Sequence, residues 1–214
     1  MSEQIKSKSR VAEYGEVITN IREIRDMLNL VKNETQRLDS KFLEPACGDG
    51  QFILEVLREK LVILKNKYYL NKYEYEKHLI LVVGSTYGID ILEDNVITTR
   101  SNIFKIFENE YKKIFFDKIN LSLKKSIQFV INKNIIWGDA LTLLEIATKK
   151  PIIFSEWSII GSKVKRRDFS YNDLIAYAPF GKDSLFSDLN EEVNIPSPVK
   201  TFDLINYDKL YELC

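Results

Sequence analysis

Several residue types that carry catalysis in many enzymes are scarce in this 214-residue chain, which has one histidine and two cysteines. His78 lies in Tyr75-Glu76-Lys77-His78-Leu79, which reads as a solvated helix face, so histidine acid–base chemistry has little support. Cys47 and Cys214 stand far apart, so neither a disulfide framework nor a zinc cluster is expected, no metal site is assigned, and a reducing cytoplasm fits. No apolar run reaches the roughly eighteen residues of a membrane span. The polar start from Met1 to Arg10 lacks the apolar core of a secretion signal. Net charge is absent too: 31 Lys and Arg balance 31 Asp and Glu. A free-standing nucleic-acid binder usually has a basic excess, so any DNA contact falls to a local patch or a partner. Five prolines are present and no two are adjacent. There is no internal repeat and no long low-complexity linker.

What is present is a globular composition, 45% hydrophobic and 29% charged, with enough chain for one domain and its core. Ile21, Ile24, Met27, Leu28, Leu30 and Val31 have helical spacing, and Asn20 stands at the N-cap position. Lys41-Phe42-Leu43-Glu44-Pro45 reads as a short strand broken by its proline. Ala46-Cys47-Gly48-Asp49-Gly50 is a tight turn, and a helix follows with Phe52, Ile53, Val56, Leu57 and Leu61 inward. Strand, glycine-rich turn and helix make the opening unit of a nucleotide-binding α/β fold. Residues 73–83 fit a helix or a buried strand. Tyr87-Gly88-Ile89-Asp90-Ile91 reads as a strand. Residues 96–121 read as helical with a turn near 109–113. Residues 126–131 and 134–137 are short apolar segments ending at Gly138-Asp139. Residues 152–169 form a β-hairpin around Gly161-Ser162, and a short helix is expected at 172–177. From Pro179 the chain reads as irregular, broken again by Pro196 and Pro198. The division expected is a domain over 1–178 and an irregular tail over 179–214.

Acidic residues fall at or just beyond the strand ends: Glu44 with Asp49, then Asp90, then Asp139. In an open parallel sheet, ligands bind outside the carboxyl ends of the strands. The Gly48–Gly50 turn lets the backbone approach a ligand. Asp90 can take both hydroxyls of a ribose, and Asp139 can accept from an adenine amino group. No lysine follows the glycines as in a P-loop, and the spacing is not Gly-x-Gly-x-x-Gly, so the set suits a cationic adenosine compound better than a pyrophosphate. Taken singly, each residue reads as an ordinary turn or cap; the joint pattern points to a cofactor site.

These segments resemble the adenine-specific DNA methyltransferases of restriction–modification systems. Phe42-Leu43-Glu44-Pro45-Ala46-Cys47-Gly48-Asp49-Gly50-Gln51-Phe52 looks like their first cofactor motif, Tyr87-Gly88-Ile89-Asp90-Ile91 like the second, and Ile136-Trp137-Gly138-Asp139-Ala140-Leu141 like the third. Val11-Ala12-Glu13-Tyr14-Gly15-Glu16-Val17-Ile18-Thr19 is similar to the segment that precedes the sheet, although the family often has an aromatic residue at the place of Ile18 and proline at that of Asn20. The resemblance spans the first two-thirds of the chain. It implies a Rossmann-like class I methyltransferase fold, a mostly parallel sheet flanked by helices with a C-terminal β-hairpin. It also implies S-adenosylmethionine as cofactor, DNA as partner, and a restriction–modification partner protein. The cofactor-binding set so implied is Thr19, Glu44, Pro45, Ala46, Cys47, Gly48, Asp49, Gly50, Phe52, Asp90, Ile91, Asp139 and Ala140.

The family's catalytic motif, Asp or Asn followed by Pro-Pro and an aromatic residue, is absent. Its place falls at Phe154-Ser155-Glu156-Trp157. In one reading Ser155, Glu156 and Trp157 form a divergent active site, with Glu156 accepting from the amine and Trp157 stacking on a flipped base. In the other, Trp157 is a core aromatic and Glu156 faces water. Strand alternation puts Ser155 and Trp157 on one face and Glu156 on the other. Lys163, Lys165, Arg166 and Arg167 are the local candidates for phosphate contact, against the alternative of a charged strand edge. The expected function is a DNA adenine methyltransferase-like protein. The alternatives are a non-catalytic cofactor-binding subunit of a modification complex, or a methyltransferase for a small molecule or protein.

Overall fold

A computed structural model describes Arg10, Ala12 and residues 19–116, 119–176 and 196–213. The chain is α/β. Its main sheet joins β1 (Phe42–Glu44), β2 (Thr86–Asp90), β3 (Ile135–Asp139) and β4 (Leu144–Glu145) in that order. The first three are parallel and β4 is antiparallel. A second, antiparallel sheet holds β5 (Ile153–Ile160), β6 (Lys163–Ser170) and β7 (Lys200–Thr201). The mostly parallel sheet flanked by helices and the hairpin agree with the expected architecture.

Local signals account for most helices. α1 (Ile21–Leu30) starts where the Asn20 side chain accepts from the Arg22 N–H, and it buries only Ile24 and Leu28. Ile21, Met27, Leu30 and Val31, which share its apolar spacing, stay exposed. A single turn, α2 (Lys32–Thr35), leads on to β1. The left-handed Gly50 then opens α3 (Gln51–Tyr68). The ambiguous stretch 73–83 is helical: α4 (Lys72–Gly84) is capped by Asn71, whose side chain accepts from Glu74.

One expectation is corrected in the next region, and one unassigned segment is placed. α5 (Glu93–Phe115) runs without the turn expected near 109–113, because Phe107 and Tyr111, four residues apart, both enter the core. The apolar run 126–131 lies inside α6 (Leu121–Asn134), whose Leu123, Ile127, Val130 and Ile131 are buried at helical spacing. That helix is capped by Asn120, which accepts from the Leu123 N–H.

α7 (Tyr171–Ala176) lies one residue before the short helix expected. The expected irregular tail is also revised. Residues 179–195 lie outside the described set, but β7 pairs with β6, Ile205 bridges Val164, and a 3-10 turn over Tyr207–Glu212 buries Leu210 fully. Tyr207 donates to buried Glu76 on α4 at 2.8 Å, tying this segment to the helical core.

The sheet separates two packing environments. Leu43, Tyr87, Ile89 and Ile136 share one face by register, and buried Tyr87, Ile89 and Ile136 pack with Ile152, Phe154 and Tyr171. Phe42 lies on the other face, packed with Phe52 against Ile24, Leu28 and Val56. Beneath β1, Lys60 is fully buried, donating to the Ser40 carbonyl and, at 2.6 Å, to the Ser85 hydroxyl. Burial pulls its pKa down to about 7. His78 is not on a solvated face: it is half-buried, stacked on Tyr68 and bonded to its hydroxyl, and desolvation lowers its pKa.

Candidate functional site

The carboxyl ends of β1, β2 and β3 bring Glu44, Asp90 and Asp139 to one end of the sheet. Between β1 and α3 the chain turns through two left-handed glycines, Gly48 at φ 54° and Gly50 at φ 90°. A side chain at either would be strained. The two differ in their surroundings. A Cβ on Gly50 would come within 2.8 Å of Thr99, whereas one on Gly48 would meet nothing within 4 Å. Gly50 is therefore needed for packing, and Gly48 leaves open the space where a side chain would stand.

Asp90 holds this turn. One carboxylate oxygen accepts from the Gly48 N–H at 2.7 Å, and the other accepts from the Leu92 N–H at 2.9 Å and from Asn95 at 3.2 Å. A carboxylate has about four acceptor positions, so one remains. The expectation that Asp90 takes both hydroxyls of a ribose thus meets a group already committed to three donors. Asp90 is buried, at 7% exposure. Asp139 is more open. It accepts from the Leu141 N–H at 2.8 Å and the Thr142 N–H at 3.4 Å, and the Leu141 bond leads the causes that lower its pKa. Half-buried Glu44 has its pKa raised by desolvation, opposed by the Ala46 N–H. Burial, with Asp90 and Glu44 nearby, pushes the Cys47 thiol up to about 12, so it is a packed side chain and not a nucleophile.

Three further residues belong to this site and escaped sequence reading. Asn95, Thr99 and Asn102 lie on α5, facing the turn. Asn95 donates to Asp90, the Thr99 hydroxyl donates to the Gly48 carbonyl at 2.9 Å, and Asn102 donates to the Asp49 carbonyl at 3.3 Å. Their signal was a polar stripe at positions i, i+4 and i+7 of the helix after Asp90. Asn95 and Thr99 are buried at 1% and 0% exposure, so the stripe faces inward.

Of the other cofactor candidates, Pro45 and Ala46 are exposed in the turn and Phe52 is half-buried on α3. Ile91 is exposed and accepts from the Trp137 indole through its carbonyl; Ala140 is half-buried after β3. Thr19 is exposed and belongs to no described contact with the turn. Most of its motif, residues 11 and 13–18, lies outside the described residues.

The three residues considered for catalysis do not form a constellation. Trp157 is a core residue at 4% exposure, set against Gly84 and edge-on to Phe129. Ser155 is buried and donates to Asp168 at 2.7 Å. Glu156 lies on the opposite face, as strand alternation requires, paired with Lys41 and Arg167. Burial pushes the Glu156 pKa up, but Lys41 and Arg167 outweigh this and hold it below the usual carboxylate range. Its Oε2 is 2.5 Å from an Arg167 nitrogen but makes no well-aligned hydrogen bond.

Of the basic cluster, Arg166 is corrected in the same way. Arg166 is buried at 4% exposure, bonded through two nitrogens to Asp168 at 2.8 Å each and stacked on Phe202 at 4.1 Å. It is not presented to a phosphate. Arg167 pairs with Glu156, Lys165 is half-buried, and Lys163 is exposed. Among the described residues no helix is long and apolar enough to cross a membrane, and no group of His, Cys, Asp and Glu is arranged to hold a metal ion.

No family model matches the chain, and no solved structure matches it. An 80-residue stretch is 31% identical to a protein of Methanocaldococcus jannaschii described as a candidate type II restriction enzyme and methyltransferase. The stretch covers 36% of this chain and 7% of that protein. The similarity is to a short part of that protein, and reaches no further than that stretch.

Proposed function

We propose that the strand-end turn binds S-adenosylmethionine in a Rossmann-like methyltransferase domain, and that the chain serves adenine-specific DNA modification. The observation that carries this reading is the convergence of Glu44, Asp90 and Asp139 on one end of three parallel strands, around an open left-handed turn at Gly48. The donor set fits such a cofactor: carboxylates for its cationic and hydroxyl groups, and no lysine for a phosphate. Half-buried Gly48, with open space where a Cβ would stand, allows close approach. Asp90, with one acceptor position left, takes a ribose hydroxyl, and Asp139 takes the adenine amino group. Glu44 faces the positive methionine end. Asn95, Thr99 and Asn102 keep the turn in its open form before any ligand arrives. When bound, the cofactor supplies a methyl group already activated on its sulfonium. The protein's work is then chiefly positioning the acceptor amine in line with it.

A second reading, a non-catalytic cofactor-binding subunit of a modification complex, is favoured by the burial of Ser155 and Trp157. Those residues support the core and leave no described group to receive a flipped base. One experiment separates the readings: incubation with S-adenosylmethionine radiolabelled in its methyl group and duplex DNA. Labelled adenine supports the enzyme. Cofactor retained on the protein with unlabelled DNA supports the subunit. Neither label nor retention by the folded protein rejects both.

A further inference from the structure

β1 is the edge of its sheet, paired only with β2 among the described strands. In a parallel pair alternate residues turn their N–H and C=O towards the neighbour. The Phe42 N–H donates to Ser85, so Leu43 in between turns its backbone groups outward. Leu43 is 41% exposed. A parallel edge of this kind offers a template for another strand.

Beside this edge lies a cavity of about 600 Å3 between the main sheet and the hairpin. Leu43, Tyr87, Phe154 and Phe169 supply its apolar walls. Lys41, Glu156 and Arg167 supply its charge, two cations to one anion. The Leu43 side chain lines the cavity, and paired residues of neighbouring strands point to the same face. A strand added to β1 would therefore send its residue opposite Leu43 into this cavity.

We propose that β1 and the cavity together receive an extended segment of a partner polypeptide by strand addition. Its residue opposite Leu43 is apolar and fills the cavity. An acidic residue two positions away on the same face meets the surplus positive charge of Lys41 and Arg167. Backbone bonds to Leu43 supply affinity, and the cavity and the cations supply selectivity. Pro45 has no N–H and ends the template, so the paired stretch is short. The cofactor is not required for this inference.

The test uses the full chain and peptides of the form acetyl-Glu-Thr-X-Thr-Glu-amide, with X as Val, Leu or Phe. Their charge-reversed counterparts carry Lys for Glu. The expected result is protection of the Leu43 amide from hydrogen exchange by about tenfold or more at saturating peptide. Charge reversal, or the variant R167Q, should weaken binding by about tenfold through loss of electrostatic complementarity. Thermal melting of R167Q confirms that it is folded. Three results would overturn the proposal. One is no protection by any of the three peptides. Another is binding without protection of Leu43. The last is binding that appears only after residues 177–195 are deleted, which would make the chain's own segment the occupant.

Discussion

The carboxyl end of the parallel sheet and the hairpin beside it are built from similar side chains put to opposite uses. At the carboxyl ends, Asp90 and Asp139 both bind backbone N–H groups, Asp90 holding the turn at Gly48 and Asp139 the turn after β3. In the hairpin, Asp168 and Arg166 close on each other under Phe202, while Trp157 fills the space over Gly84. Charge at the first end is half-exposed or has acceptor capacity left over. Charge at the second is neutralised and buried. Residue type alone does not separate a ligand site from a core; the separation comes from how many partners each polar group already has.

That contrast can be broken most sharply at the hairpin. D168A leaves the Arg166 guanidinium buried without its anion and should cost about 3–5 kcal/mol in urea unfolding. D139A at the open end should cost about 1 kcal/mol at most, the worth of a cap. Equal losses would erase the distinction.

Lys60 gives the next effect. Its folded pKa of about 7 lies below its ordinary 10.5. Between those values the unfolded chain holds a proton that the folded chain has lost, so stability rises with pH across this window. The penalty is fully present below about pH 7. K60M should remove a few kcal/mol of pH dependence between pH 7 and 10 in denaturation curves, and a matching slope in both proteins would refute the assignment.

G84A comes third. Its Cβ would meet the Trp157 ring at 2.5 Å, so a loss of about 1–3 kcal/mol in stability is expected from overpacking. Restoring stability with a smaller aromatic, as in G84A with W157F, would sharpen the account. T99V should be the mildest, costing about 1 kcal/mol for the bond to the Gly48 carbonyl. It acts at the open end, where the reading adds a few-fold weaker cofactor binding.

Legibility in the sequence followed the same division. The strand, turn and helix over residues 42–68 were readable because glycine, proline and helical spacing are local signals. The acidic strand ends were readable for the same reason. The stripe Asn95, Thr99 and Asn102 was missed because its periodicity is polar, and polar helix faces usually meet water. The turn expected at 109–113 was a misreading of charged residues around Tyr111, whose inward direction only packing decides. Arg166 reads as a phosphate contact in the sequence because its pairing with Asp168 depends on a two-residue strand repeat and on Phe202, more than thirty positions away. Stacking and packing of Trp157 are separated only by its contact with Gly84, more than seventy positions away.

The central claim is tested most directly by calorimetric titration of S-adenosylmethionine into the purified chain, D90A, D139A and W157F, with melting curves to confirm folding. The account predicts micromolar-range binding, weakened about tenfold or more in D90A and D139A and unchanged in W157F. Absence of binding to the folded chain, or binding indifferent to both aspartate variants, would contradict it.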